Sequence, residues 1–360
     1  MKIAIITFHC VLNYGAVLQA YALSTFLKKE GHEPIFIQYG PNVDLQGKVK
    51  CRFKLLGLHP ADYIQAYRKR TFAAFRKKYL QETDQFFTGY DELDSLDSFD
   101  AYICGSDQIW NAELTGGKLD AAFFLHFAKG SGPKIAYAAS MGQKAFDDPD
   151  RAKSLLEQLT HISVREKAMV DPIAELSEKS VISVVDPTLL LDDYTEITTP
   201  IRKKYILLYA LQTSKTIYAK AKIISKITGL PIINLGSRLN PFKHPGKQIC
   251  GTPEQFVSLF KHAEFVVTNS FHGTVFSTMF KKRFICCALE GARASRNVRM
   301  HDFLTEVGLI RHLHYPTDIM DHDVLTQLDE VDWTGVEQKL ACVRSRSVHF
   351  LRESLKWHNG

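Results

Sequence analysis

No apolar run in this 360-residue chain approaches the roughly 20 residues that cross a bilayer, so an integral helical membrane protein is not expected. No CxxC and no paired Cys/His spacing occurs among the seven cysteines, at 10, 51, 104, 250, 286, 287 and 342, and no metal is expected from them. That count is odd and most of the seven adjoin apolar runs. Reduced thiols of a cytoplasmic protein are therefore expected rather than disulfides. A large excess of one charge is also missing. The formal +6 agrees with an anionic substrate but falls well short of a nucleic-acid surface, and no nucleic-acid partner is expected. The turn after the first apolar run has one glycine where a dinucleotide site has GxGxxG, so a nicotinamide cofactor is not indicated. Internal repeats and low-complexity tracts are absent, and no signal peptide is read ahead of the opening MKIAIIT.

What is present is a regular alternation of apolar runs and helical patterns. Strands are expected at 3–7, 34–39, 101–104, 134–138, 162–164 and 181–185, then at 205–209, 231–235, 265–267 and 284–287. Helices are expected at 16–29, ended by Gly31, at 214–228, ended by Gly229, behind Pro253, and at 335–357. Residues 41–100 read as an insertion. Its basic stretch, Lys48 to Lys78, is interleaved with Phe53, Ile64, Tyr67, Phe72 and Phe75. The fold class implied is α/β, with two Rossmann-like domains facing across a cleft. The first spans 1–190 and carries the basic helical insertion at about 41–100; the second spans 200–330. A C-terminal helix within 335–360 packs back on the first.

Residues 264–299 organise the second half. Phe265-Val266-Val267 reads as a buried strand and Thr268-Asn269-Ser270 as a turn or cap. Phe271-His272-Gly273 then starts a helix with an expected buried stripe of Val275, Phe276, Met279 and Phe280. Beyond the next strand lies a loop with Arg293, Arg296 and Arg299. Open α/β sheets bind ligands at such strand ends, and a helix N-terminus with a histidine and guanidinium groups suits a phosphate or carboxylate. A histidine is more often an ordinary polar residue, and it is the strand-end position that singles out His272. In the first half, Asn13 and Gly15 either make a turn or aim backbone N–H groups at a substrate. Asp107 either caps a following helix or accepts a hydroxyl proton. Arg165 either holds a carboxylate of the substrate or pairs with its neighbour Glu166.

In order along the chain, NYGAVLQAYAL (13–23), DAYICGSDQIWN (100–111), KIAYAASMG (134–142), ISVREK (162–167), VVDPTLLL (184–191) and TNSFHGTVFS (268–277) resemble the polysaccharide pyruvyl transferase family. The resemblance implies a GT-B type fold and phosphoenolpyruvate as donor, with no cofactor. The acceptor would be a sugar or lipid-linked oligosaccharide. The product would be a cyclic pyruvate ketal bridging two hydroxyls of one sugar in a surface polysaccharide. By motif, the donor falls to Arg165 and His272, with Ser270 beside them and a third cation after strand 284–287, where Arg293 has the best spacing. Ser270 and Phe271 stand where other members carry an arginine and a leucine. Asn13, Tyr14, Gly15 and Gln108 go to the acceptor side, and His272, Asp107 and Glu166 to acid–base chemistry. The 48–78 segment is either a packed helix with a wet basic face or a peripheral contact with anionic lipid at the inner face of the membrane. Two rival functions stay open at this point: a GT-B-type glycosyltransferase using a nucleotide sugar, and a non-catalytic acidic-glycan-binding module.

Overall fold

The computed structural model describes residues 1–40, 60–143, 145–236 and 244–356. These divide into two compact units. The described residues within Met1–Gly47, Phe75–Asp192 and Leu340–Gly360 form the first; those within Lys48–Ala74 and Asp193–Lys339 form the second.

The first unit is built on β1 (Lys2–Ile6), β2 (Glu33–Tyr39), β3 (Glu82–Phe87), β4 (Ala101–Cys104), β5 (Lys134–Ala139), β6 (His161–Val164) and β7 (Val181–Ser183). The sheet order is β3-β2-β1-β4-β5-β6-β7, and every pairing is parallel. The order reverses between β1 and β4, which makes their carboxyl ends the natural ligand edge. The chain's helices are α1 (Tyr14–Lys29), α2 (Pro60–Tyr79), α3 (Pro149–Leu156), α4 (Val170–Ser177), α5 (Lys215–Thr228), α6 (Pro253–His262), α7 (Phe271–Met279), α8 (Val298–Glu306), α9 (His322–Asp329) and α10 (Trp333–Leu355). Because α1 is apolar nearly all round, it is buried from Tyr14 to Ser24 rather than along one stripe. The C-terminal part of α10 returns to this unit. Its Ser347 hydroxyl accepts from Val185 N (2.9 Å), Arg344 Nε donates to Leu189 O (2.6 Å), and Arg352 makes a two-pronged pair with Glu30 (2.8 and 2.9 Å).

The second unit holds β8 (Ile206–Tyr209), β9 (Ile232–Leu235), β10 (Lys247–Ile249), β11 (Phe265–Thr268), β12 (Arg283–Cys287) and β13 (Leu313–His314). Their order, β10-β9-β8-β11-β12-β13, is again parallel and reverses between β8 and β11. Pro253 opens α6 behind a reciprocal cap between Thr252 and Gln255.

Several expectations are corrected. Residues 82–87 do not belong to an insertion: they are the edge strand β3, whose polar, half-exposed ETDQFF hides the alternation of a strand. No α-helix follows Asp107. The chain turns instead, and Asn111 caps a short 3₁₀ turn at Ala112–Leu114. In α7 burial is not a stripe. Phe271 to Thr278 are all buried, and it is Met279 and Phe280 that are half-buried. Of the basic stretch 48–78, residues 48–59 lie outside the described residues. In α2, Phe72 and Phe75 are buried while Tyr63 and Tyr67 are exposed.

Candidate functional site

At the carboxyl edge of the first sheet, loops from β4, β5, β6 and β7 converge on Arg165. This side chain is 2% exposed. Its Nη1 donates to Asp186 Oδ2 (2.9 Å) and its Nε to Glu166 Oε1 (3.1 Å), while Nη2 lies 3.9 Å from Asp107 Oδ1. Ser140 Oγ also donates to Glu166 Oε1 (2.9 Å), and Asp186 Oδ1 accepts from the N–H and hydroxyl of Thr188 (3.0 and 2.7 Å). Burial opposes the charge on Arg165, but Glu166, Asp186 and Asp107 together hold its pKa above the ordinary guanidinium range. The pairing with Glu166 that the sequence left open is thus present, and Asp186 adds a second partner. One guanidinium among three carboxylates gives a formally negative cluster. Asp107 is its most accessible acid, with a side chain 13% exposed against 2% for Glu166 and 0% for Asp186.

Local geometry explains where Asp107 stands. It has a left-handed φ of 76°, which Asp tolerates because its short side chain bonds locally; here Oδ1 accepts from Gln108 N (2.9 Å). Gly105, two residues earlier, has φ 106°, and a Cβ there would strike the Tyr137 carbonyl of β5. Gln108 is buried and accepts from Asn111 Nδ2 (3.2 Å). Asn13 caps α1 by accepting from Gly15 N (2.9 Å), so that N–H serves the turn rather than facing a ligand, and Tyr14 is buried as the first residue of the helix. Gln19, fully buried, donates to Thr7 Oγ1 (3.0 Å) and accepts from Ser106 N (3.3 Å), fastening α1 to the loops after β1 and β4. In the loop after β1, His9 is fully buried. Burial opposes its charge, yet Cys10 and Glu82 push its pKa up to about 9.

At the carboxyl edge of the second sheet, Ser270 caps α7 by accepting from Gly273 N (3.3 Å). A Cβ on Gly273 would strike Thr268 Oγ1, the atom that donates to Tyr209 O (2.8 Å), so only glycine lets α7 start this close to β11. His272 lies in the first turn, 7% exposed, with its ring edge-on to Phe271 at 5.4 Å. No acid stands in that turn. The Arg299 guanidinium, at the start of α8, lies 5.9 Å from the Phe271 ring centroid, within cation–π range. Arg293 has the expected spacing along the chain but lies in the exposed turn Gly291–Asn297. The strand-end loops are tied together. Asn269 Oδ1 accepts from Leu211 N (2.8 Å), and Gln212 exchanges two hydrogen bonds with the Glu290 backbone (2.9 and 3.0 Å).

The expected residues therefore form two groups. Asp107, Arg165 and Glu166 cluster in the first unit; Ser270 and His272 start α7 in the second, with Arg299 near the neighbouring Phe271 ring. The sequence reading missed Asp186, Gln19 and Gln212. For Asp186 the signal is the VVDP of the family-like motif 184–191, which carries no role for that aspartate in the sequence alone.

A family model described as polysaccharide pyruvyl transferase matches residues 13–291 of the chain. No curated protein sequence matches it. Among solved structures, MnaA of S. aureus with UDP is similar at a TM-score of 0.54 and 12% identity, over 100% of this chain and 98% of that one. The UDP-GlcNAc 2-epimerase of Methanocaldococcus jannaschii gives 0.52 and 11%, over 98% and 100%. That of Neisseria meningitidis, bound to UDP-GlcNAc, gives 0.51 and 12%, over 98% and 100%. At these identities the similarity establishes a two-domain, GT-B-like α/β fold and carries nothing about substrate.

Proposed function

The chain belongs to the polysaccharide pyruvyl transferase family, and from that premise we propose that it moves the pyruvyl group of phosphoenolpyruvate to a sugar of a surface polysaccharide or its lipid-linked precursor. The sugar ends as a cyclic pyruvate ketal and inorganic phosphate is released. The observation that carries this reading is the match over 13–291, a span that holds both the Asp107–Arg165–Glu166 cluster and the start of α7.

The donor carries a carboxylate and a phosphate, and the second sheet edge suits it best. There a helix N-terminus without an acid in its first turn presents His272, with Arg299 close by. The acceptor falls to the first edge, beside Asn13, Tyr14, Gly15 and Gln108. In the reaction one sugar hydroxyl adds its oxygen to C2 as the methylene carbon takes up a proton and becomes a methyl group. The second hydroxyl then displaces phosphate from C2, and its proton leaves with the phosphate. Asp107, the most accessible acid, takes the hydroxyl proton. His272 lends a proton to the departing phosphate. Glu166 is tied by Arg165 and Ser140 and supports Asp107 instead of replacing it. Arg165, expected as a donor ligand, contributes chiefly by fixing Glu166 and Asp186 in place through its planar two-pronged guanidinium. Arg293 adds a peripheral charge. The reaction needs no cofactor, and a lipid-linked acceptor would place the enzyme in the cytoplasm at the inner face of the membrane.

Incubation with phosphoenolpyruvate and a panel of glycosides tests this. The expected result is phosphate release that depends on one glycoside, with a new ketal methyl signal in the proton NMR spectrum. Tight UDP binding with no glycoside-dependent phosphate release would instead favour a nucleotide-sugar transferase.

A further inference from the structure

We propose that His9, Cys10 and Glu82 form a binding site for a divalent cation of the zinc class, one that pins the loop after β1 to the edge strand β3. Among the described residues this is the one group of three His, Cys, Asp or Glu side chains whose ligand atoms converge, all lying within 4.8 Å of one another. It is separate from the Asp107–Arg165 cluster and independent of the pyruvyl-transfer reading.

The geometry is that of a ligand set. His9 Nδ1 is 3.2 Å from Thr7 O, a carbonyl that can only accept, so Nδ1 keeps its proton and Nε2, on giving up its own to solvent as the ion binds, is the coordinating atom. Nε2 lies 3.4 Å from Cys10 Sγ and 3.1 Å from Glu82 Oε1. A tetrahedral zinc ion with ordinary Zn–S, Zn–N and Zn–O bonds separates sulfur from nitrogen by about 3.6 Å and nitrogen from oxygen by about 3.4 Å. The two observed edges fall within a few tenths of an ångström of these, so the donors would move little to close on an ion. Thiolate, imidazole and carboxylate are the ligand types that zinc takes, and the two anionic ones together neutralise its charge.

The fold holds the three in place. Register puts Glu82 beside Phe36 and Phe36 beside Ile5, and the His9 ring packs on the Phe36 ring at 5.1 Å. His9 is 0% and Cys10 3% exposed, but the Glu82 side chain is 16% exposed, which gives an ion its way in. Arg76 Nε donates to the same Glu82 oxygen (2.8 Å). In the loaded site Glu82 would ligate with one oxygen and keep Arg76 on the other, an outer partner that orients the carboxylate. The bound ion would steady the loop that leads to the Asn13 cap.

The test is titration of the reduced, chelator-treated full chain with Co²⁺, followed by displacement with Zn²⁺. The expected result is a thiolate-to-cobalt charge-transfer band together with the visible bands of a tetrahedral ion, lost on adding Zn²⁺. Cys10→Ser should abolish the charge-transfer band and weaken binding at least tenfold. Cys342→Ser, at an exposed cysteine, should leave both unchanged. Zn²⁺ should also raise the melting temperature of the wild type and not of Cys10→Ser. Should Cys10→Ser fail to fold, the wild-type spectrum decides alone. Absence of the charge-transfer band in the wild type, or its survival in Cys10→Ser, would overturn the proposal.

Discussion

The two sheets share one strand order, the first carrying one strand more at its far end, and one kind of ligand edge, yet their edges differ in chemistry. At the first, a single guanidinium is enclosed by Asp107, Glu166 and Asp186. At the second, a helix start bears a histidine, no acid in its first turn, and an arginine beside Phe271. Topology fixes where a ligand binds; the loops fix which charge it carries. An edge dominated by carboxylates suits hydroxyl groups that must lose protons, and a helix N-terminus with a histidine and a nearby arginine suits an anion. The proposed division of labour follows: acceptor activation at the first edge and donor binding at the second.

The comparison breaks most sharply at Asp107. Asp107→Asn keeps shape and removes the proposed base, and turnover should fall about 10²–10⁴-fold in a steady-state phosphate-release assay. His272→Gln removes the proposed contact to the anionic donor, a kind of contact typically worth about 2–5 kcal/mol, so kcat/KM for phosphoenolpyruvate should drop tens- to thousands-fold. Arg165→Lys is expected to cost less. A lysine cannot span Asp186 and Glu166 as the planar fork does, so activity should fall roughly tenfold and the melting temperature by a few degrees.

A pH scan sharpens the contrast between the units. Burial drives the pKa of both His312 and His314, in the second unit, down to about 4. Below about pH 6.5 the unfolded chain takes up protons there that the native state refuses, so their contribution is present above that pH and lost as pH falls through about 4. Melting curves from pH 7 to 4.5 should show stability declining, and His312→Gln with His314→Gln should flatten the decline. The smallest effect concerns the basic face of α2. Weak binding to acidic liposomes, fading with salt, is expected from exposed Arg70, Lys77 and Lys78. Binding that is absent or insensitive to salt leaves α2 as a packed helix only.

Much of this arrangement could be read from local pattern. Buried runs such as 101–104 and 265–267, and the Ser270 cap before α7, announce themselves because their signals lie within a few residues. What escaped has distant causes. β3 is an edge strand made of polar residues, so its burial depends on a neighbour and not on its own pattern. Asp186 meets Arg165 only through the pairing of β6 with β7. Arg293 has the right spacing along the chain, but the turn at 291–297 followed by α8 brings Arg299 to Phe271. His9 and Cys10 gain Glu82 through an edge strand whose polar sequence reads as part of an insertion.

The division of labour is tested most directly by calorimetric titration of phosphoenolpyruvate into the wild type, Asp107→Asn and His272→Gln. The account predicts that Asp107→Asn binds the donor as tightly as the wild type although it no longer turns it over, whereas His272→Gln loses at least tenfold in affinity. Donor binding that survives in His272→Gln and collapses in Asp107→Asn would contradict it.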